Sequence, residues 1–352
     1  MRLIDLRLFM HVNSIDFLRA IGAVAVCIFH LTLGYLHEGN PVYSVFQHGH
    51  LGVELFFVIT GFLIPSSLLR KNHTIANWGT YMKDRIIRIH PAYIGAVLIC
   101  VFQEFISTLL PPPMYKPFSV SILDILGHFT YLQPYIGRPW LVILFWTLAV
   151  QFQFYMVYGV IHFLFIHEKK WMRFLTLLAL ITLPFLIGKG EIDYGFGLVN
   201  LNNFLPHYMH IFLVGVLLFM FTQGFLSKIE FWIFMAINCY ALFYYRGGMY
   251  VWYDGDFLRP FAVICASICI LFINIQHKIF EFLGKISYSL YLIHLPIGWS
   301  FMGFLKNFLN LNSEFGLTIA LFTATALSIF CAYLFNKYFE EPAVQKVKEY
   351  FK

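Results

Sequence analysis

Two residues eleven positions apart pose the first chemical question. In the stretch SIDFLRAIGAVAVCIFHLTLGY, Ser14 to Tyr35, Arg19 and His30 interrupt a run otherwise apolar enough to enter a bilayer. A charge at the centre of a membrane costs about 2.5–3.5 kcal/mol or more, so such groups face the interior of a bundle or a water-filled cavity. Arg19 lies little more than one turn inside its apolar run, and its long stem can snorkel to the interface. His30 lies deeper and has no comparable reach. Eleven residues at about 100° each fall within about 20° of three full turns, so the two share a face and are about 16 Å apart along the axis. Asp16, three residues before Arg19, can pair with it.

Four further constellations carry polar chemistry in apolar surroundings. In HGHLGVELFFVITGFLIPSSLL, Glu54 stands near one end of the second apolar run. If that run packs back against the first, Glu54 reaches a depth comparable with His30. A carboxylate beside an imidazole raises its basicity and fixes its tautomer, which makes a general-base device in a dry cavity. The alternative is an interfacial glutamate facing water. Gly52 and Gly61 would let the helices approach closely. In YMKDRIIRIHPAY, Arg85 and Arg88 are three apart on one helix face. Two guanidinium forks suit a phosphate or pyrophosphate, although an isolated pair also serves as a basic membrane anchor. In WTLAVQFQFY, Gln151 and Tyr155 are four apart, and Trp146 fits either a site or an aromatic belt at the interface. In ISYSLYLIHLPI, the spacing puts Ser287, Tyr291 and His294 on one face, for stability or for substrate contact.

These residues need a scaffold, and composition names it. The chain has 352 residues, 60% of them apolar and only 12% charged. That excludes an ordinary soluble domain. A spanning helix takes about 20 apolar residues, and ten such windows start near Ile15, His50, Ile86, Leu141, Trp171, Phe204, Ile229, Phe257, Ile286 and Phe315. The expectation is an all-α polytopic membrane protein, a bundle of about ten transmembrane helices forming one domain over residues 1–352. With the N-terminus cytoplasmic, 17 of the 24 arginines and lysines fall on the inner side. That agrees with the positive-inside rule and puts both termini in the cytoplasm. The net charge of +6 then reflects topology and not a nucleic-acid partner. The first helix has no cleavage signature and is expected to be retained. All six cysteines fall in apolar helices and read as small buried residues without a metal role. The stretch LLPPPMYKP cannot be helical. It precedes a helix-like piece, VSILDILGHFTYLQPY, and a later loop, GKGEIDYGFGLVNLNN, reads as irregular.

Together these motifs resemble the acyltransferase-3 family of integral membrane O-acyltransferases. Arg19 and His30 match its Arg-x10-His pattern. GVELFFVITGFLI is similar to its Gly-Val-Asp/Glu-Leu-Phe-Phe-Val-x-Ser-Gly-Phe stretch, with Thr60 where serine is common. DRIIRIHPAY matches Arg-x-x-Arg-Ile-x-Pro-x-Tyr, and SYSLYLIHLPI and KYFEEPAV look like its last two motifs. The resemblance implies transfer of an acyl group, commonly acetyl, from a cytoplasmic coenzyme A thioester to a hydroxyl of an extracytoplasmic glycan or lipid-linked acceptor. His30 would be the catalytic base, Arg19 its partner in the tunnel, and Arg85 and Arg88 holders of the coenzyme A phosphates, with no metal. It also implies a multi-pass protein of the bacterial inner (cytoplasmic) membrane, in contact with its lipids. One departure stands out: Gln151 occupies a place where the family often has glutamate, and glutamine keeps hydrogen bonds without a charge. A positioning role is expected there. The chain ends soon after EEPAV, so the SGNH-hydrolase-like domain of some members is not expected. Two other classes fit part of the pattern, a transporter with an Arg/His/Glu relay and a non-catalytic membrane scaffold. A transporter would not need the arginine pair, and Gln151 is the feature that most favours a scaffold.

Overall fold

The computed structural model describes residues 3–111, 116–187, 191–193, 198–200, 203–244 and 258–351, with side chains at 13–111, 116–133, 135–186, 203–244 and 258–351. Arg2, Lys189, Arg246 and Lys352 from the charge count lie outside the described residues. The order of elements is α1 (Leu3–Tyr35), α2 (Pro41–Phe46), α3 (Gly52–Arg70), α4 (Trp78–Ser107), α5 (Ile122–Thr130), α6 (Phe145–Phe165) and α7 (Lys170–Ile187). Then follow β1 (Glu191–Asp193), β2 (Leu198–Asn200), α8 (Met209–Thr222), α9 (Lys228–Tyr244), α10 (Leu258–Phe272), α11 (Lys278–Asn307), α12 (Glu314–Phe335) and α13 (Glu341–Tyr350).

Helices dominate because a bilayer leaves backbone N–H and C=O groups no partner except their own chain. Each of the ten apolar windows falls on a helix, and these helices run from 14 to 33 residues. Among the described residues, six segments are long and apolar enough to cross a membrane: Asn13–Tyr35, Pro41–Arg70, Ile75–Ser107, Phe145–Phe165, Leu205–Thr222 and Glu314–Tyr350. Leu258–Phe272 is a shorter apolar helix. Pro65, Pro91, Pro184 and Pro296 lie inside helices, as packing neighbours permit in such bundles. The loop read as irregular carries a short antiparallel ladder, with Ile192 opposite Val199. The helix-like piece is α5, held by a capping box between Ser121 and Asp124. The six cysteines are free thiols on α1, α4, α9, α10 and α12.

Without a hydrophobic drive between helices in lipid, close packing needs small residues at the contacts. α3 is gripped on both sides in this way. A Cβ on Gly52 would stand 2.4 Å from the Gly22 carbonyl oxygen of α1, and one on Gly61 would stand 2.1 Å from the Phe212 carbonyl oxygen of α8. Behind that second contact, Phe212 stacks on Phe57 at 4.5 Å and on Phe154 at 4.2 Å. α11 packs along both α1 and α12. The π-helical turn Asn336–Glu340 joins α12 to α13 and brings α13 beside α4, with Asp16 of α1 and Lys348 of α13 lining the same cavity.

Candidate active site

A cavity of about 530 Å³ opens among α1, α3, α4, α6, α11 and α13. Its size suits a small-molecule site. It reaches the surface at the exposed Gln345 and Lys348 of α13 and ends at the buried Thr147 and Tyr291. Of the residues singled out in the sequence, Asp16, Arg19, Thr60, Arg88, Gln151, Tyr155, Ser287 and Tyr291 line it. The i,i+4 pair on α6 therefore does share a face, and that face is the cavity wall.

The wall is held by specific contacts. Arg19 Nη1 lies 4.0 Å from Asp16 Oδ1, as the spacing suggested. Gln151 Nε2 donates to Thr60 Oγ1 at 2.5 Å, which joins α6 to α3 at the position where serine is common in the family motif. At the inner end, the Tyr291 and Thr147 hydroxyls bond at 2.7 Å. At the mouth, Lys285 pairs with Glu341 at 2.8 Å. Glu340 accepts from Ser289 at 2.5 Å and from Asn336 at 3.1 Å. Among the described residues Arg88 and Lys348 make no ion pair, so the mouth keeps positive charge for an incoming anion.

Arg85 and Arg88 part company. Arg88 is exposed in the cavity mouth. Arg85 donates from Nη2 to Ser67 Oγ at 3.2 Å and sits over the Tyr81 ring at 5.5 Å, outside the cavity lining. An i,i+3 pair spreads over about 60° of the helix surface, enough for one member to enter the groove toward α13 and the other to lean on α3.

His30 lies beyond the inner end. Along the stripe predicted on α11, Ser287 and Tyr291 line the cavity, and the Tyr291 and His294 rings are 6.1 Å apart. His294 Nε2 then reaches His30 Nδ1 at 3.4 Å. His30 Nδ1 also bonds to the Val26 carbonyl oxygen at 2.9 Å, and its Nε2 has no hydrogen bond among the described residues. His30 is half-buried.

The expected pairing of Glu54 with His30 is not what the helices make. Glu54 is fully buried, with Oε1 3.7 Å from Arg259 Nε of α10 and no hydrogen bond to either carboxylate oxygen. The reason is angular. Gly52 is the point of contact with α1, and two residues further on the helix has turned by about 200°. Glu54 therefore points away from α1 and toward α10. Trp146 also stands outside the cavity, packed with Tyr208 at 5.0 Å and Phe57 at 6.3 Å. Its neighbour Thr147 takes the lining position.

Sequence reasoning missed Thr147, Asn336, Glu340 and the lysines of the mouth as site residues. Thr147 lay inside a quoted motif, and Glu340 within KYFEEPAV. Lys285 and Lys348 carried only a topological signal.

A family model described as an acyltransferase domain matches residues 12–337. O-acetyltransferase OatA of Staphylococcus aureus is 24% identical over 320 residues, which covers 82% of this chain and 50% of that protein. Peptidoglycan O-acetyltransferase OatA of Listeria monocytogenes is 27% identical over 172 residues, covering 46% of this chain and 25% of that protein. A protein of Acidianus two-tailed virus, provisionally named an acetyltransferase, is 24% identical over 290 residues, 79% of this chain and 81% of its own length. The chain thus spans half or less of the two OatA proteins. No solved structure matches.

Proposed function

This chain belongs to the acyltransferase-3 family, and from that premise we propose that it is a membrane O-acyltransferase. It moves an acyl group, acetyl first among candidates, from a cytoplasmic coenzyme A thioester to a hydroxyl of an extracytoplasmic envelope glycan or its lipid-linked precursor. The name of the Listeria relative makes a peptidoglycan sugar one such acceptor. The setting is the inner membrane, with about ten spans and both termini inside.

One observation carries this reading: a cavity with unpaired cations at its mouth ends one side chain short of a histidine pair in which His30 is half-buried. The donor's phosphates bind at Arg88 and Lys348, and the thin pantetheine arm follows Arg19, Gln151 and Tyr155 inward. The thioester passes Tyr291 when its bond to Thr147 opens. From the other side the acceptor hydroxyl meets His30 Nε2, which takes its proton as the oxygen attacks the thioester carbonyl carbon. A C–O bond forms and the C–S bond breaks. Coenzyme A leaves as a thiolate and takes the proton back from the imidazolium, so the products are ester and free thiol.

Membranes carrying the protein are given radiolabelled acetyl-CoA, and envelope glycans are examined for bound acetate. His30→Ala should lower acetylation by about 10²–10⁴-fold while the protein accumulates normally. Wild-type acetylation in that variant would refute the assignment.

A further inference from the structure

We infer that His294 is the positioning residue of His30, setting its tautomer and receiving its Nδ1 proton bond through a neutral lone pair. The inference deepens the acyl-transfer reading and rests on it. No carboxylate hydrogen-bonds to His30 among the described residues. The ring facing it is His294, fully buried on α11.

Hydrogen-bond chemistry fixes which nitrogen holds which proton. His294 Nδ1 lies 3.0 Å from the carbonyl oxygens of both Leu290 and Tyr291. Carbonyl oxygens only accept, so Nδ1 carries the hydrogen, and in the neutral ring Nε2 is left with a lone pair. That lone pair faces His30 Nδ1. His30 Nδ1 also faces the Val26 carbonyl oxygen at 2.9 Å, so it too carries a hydrogen, shared between Val26 and His294. The other nitrogen of His30, Nε2, is therefore the basic one, and among the described residues it has no hydrogen-bond partner. Two rings in series turn the base outward.

The arrangement also serves the charged state. When His30 Nε2 takes the acceptor's proton, the ring becomes an imidazolium and Nδ1–H becomes a charge-assisted donor. The His294 contact at 3.4 Å is long at rest, and such contacts tighten as charge develops. In hydrolase triads a carboxylate holds the base; here the group is a lone pair fixed to one helix turn. The Trp299 indole donates to the His30 carbonyl oxygen at 3.2 Å, and Gly298 brings α11 against Leu31 of α1.

Three substitutions separate this role from simple packing. His294→Asn places an amide where Nδ1 was, keeping the bonds to the helix carbonyls but leaving nothing at His30. His294→Gln places its amide oxygen where Nε2 was. Purified protein in nanodiscs is assayed with acetyl-CoA and a soluble sugar acceptor, with thermal midpoints measured alongside. The expected result is that His294→Asn loses kcat by about tenfold or more with an unchanged KM for acetyl-CoA, while His294→Gln stays within a few-fold of wild type. Wild-type kcat in His294→Asn, a loss confined to KM, or equal losses in folded Asn and Gln variants would overturn the inference. If His294→Asn fails to fold, His294→Gln decides: near-wild-type kcat supports the role and a tenfold loss in folded protein ends it. His30→Ala runs in parallel. If it is inactive while His294→Asn turns over normally, only the positioning role falls. If it is fully active, the acyl-transfer assignment falls first.

Discussion

At the scale of single residues, the two motif arginines make a sharp contrast. Arg88 faces the cavity mouth without an ion pair, whereas Arg85 is tied to Ser67 and Tyr81. Arg88→Ala should raise the KM for acetyl-CoA by about tenfold and spare kcat, since phosphate contacts bind without reacting. Arg85→Ala should change the thermal midpoint more than the KM. The reverse pattern would move the phosphate site. Gln151 makes a second case. Its amide donates to Thr60, and a hydroxyl can donate as readily as accept. Gln151→Glu should therefore keep activity within a few-fold, the Thr60 hydroxyl turning to meet the carboxylate. Gln151→Leu should cost about 1–3 kcal/mol by leaving the Thr60 hydroxyl unpaired, read as a lower unfolding midpoint. Inactivity of a folded Gln151→Glu variant would contradict the positioning role. The sequence made Gln151 with Tyr155, and Ser287 with Tyr291, legible as shared faces because helical spacing fixes which residues of one helix lie together. It could not say what each face meets. Glu54 shows the limit: its partner Arg259 is 205 positions away in the numbering, and the choice between α1 and α10 depends on where Gly52 touches Gly22.

At the scale of helices, the contacts between α3 and its neighbours have almost no slack. Gly61→Ala would press a methyl into the Phe212 carbonyl of α8. Overpacking of this kind costs about 1–3 kcal/mol, so membrane accumulation and the detergent melting point should both fall. Gly79→Ala on α4, which has nothing within 4 Å, is the matching control and should be silent. If both behave alike, the glycine contact does not hold the bundle. Helix positions were readable from hydropathy, because a bilayer sets a minimum apolar length. The joint between α12 and α13 was not. The turn Asn336–Glu340 is π-helical, a device frequent at functional sites. Its visible effect is to bring Asn336 and Glu340 to the cavity wall, yet nothing in the spelling NKYFE announces the extra residue in the turn.

For the molecule as a whole, sidedness decides whether a cytosolic donor can reach the cavity. In a background lacking native cysteines, Glu38→Cys, in the exposed turn after α1, should react with an impermeant maleimide on intact cells. Lys348→Cys at the cavity mouth should react only after the cells are opened. Opposite labelling would turn the mouth away from the cytosolic thioester pool. The bond between the Tyr291 and Thr147 hydroxyls then takes on a meaning beyond catalysis. A membrane that stores energy as a difference in proton electrochemical potential cannot tolerate a continuous wet path, and two facing hydroxyls at the blind end of the cavity interrupt one. On the proposed path of the donor, the same two side chains part at every turnover. The enzyme can keep the cell from short-circuiting only if the arriving thioester fills the gap as it opens, so that passage is plugged by the substrate that demands it.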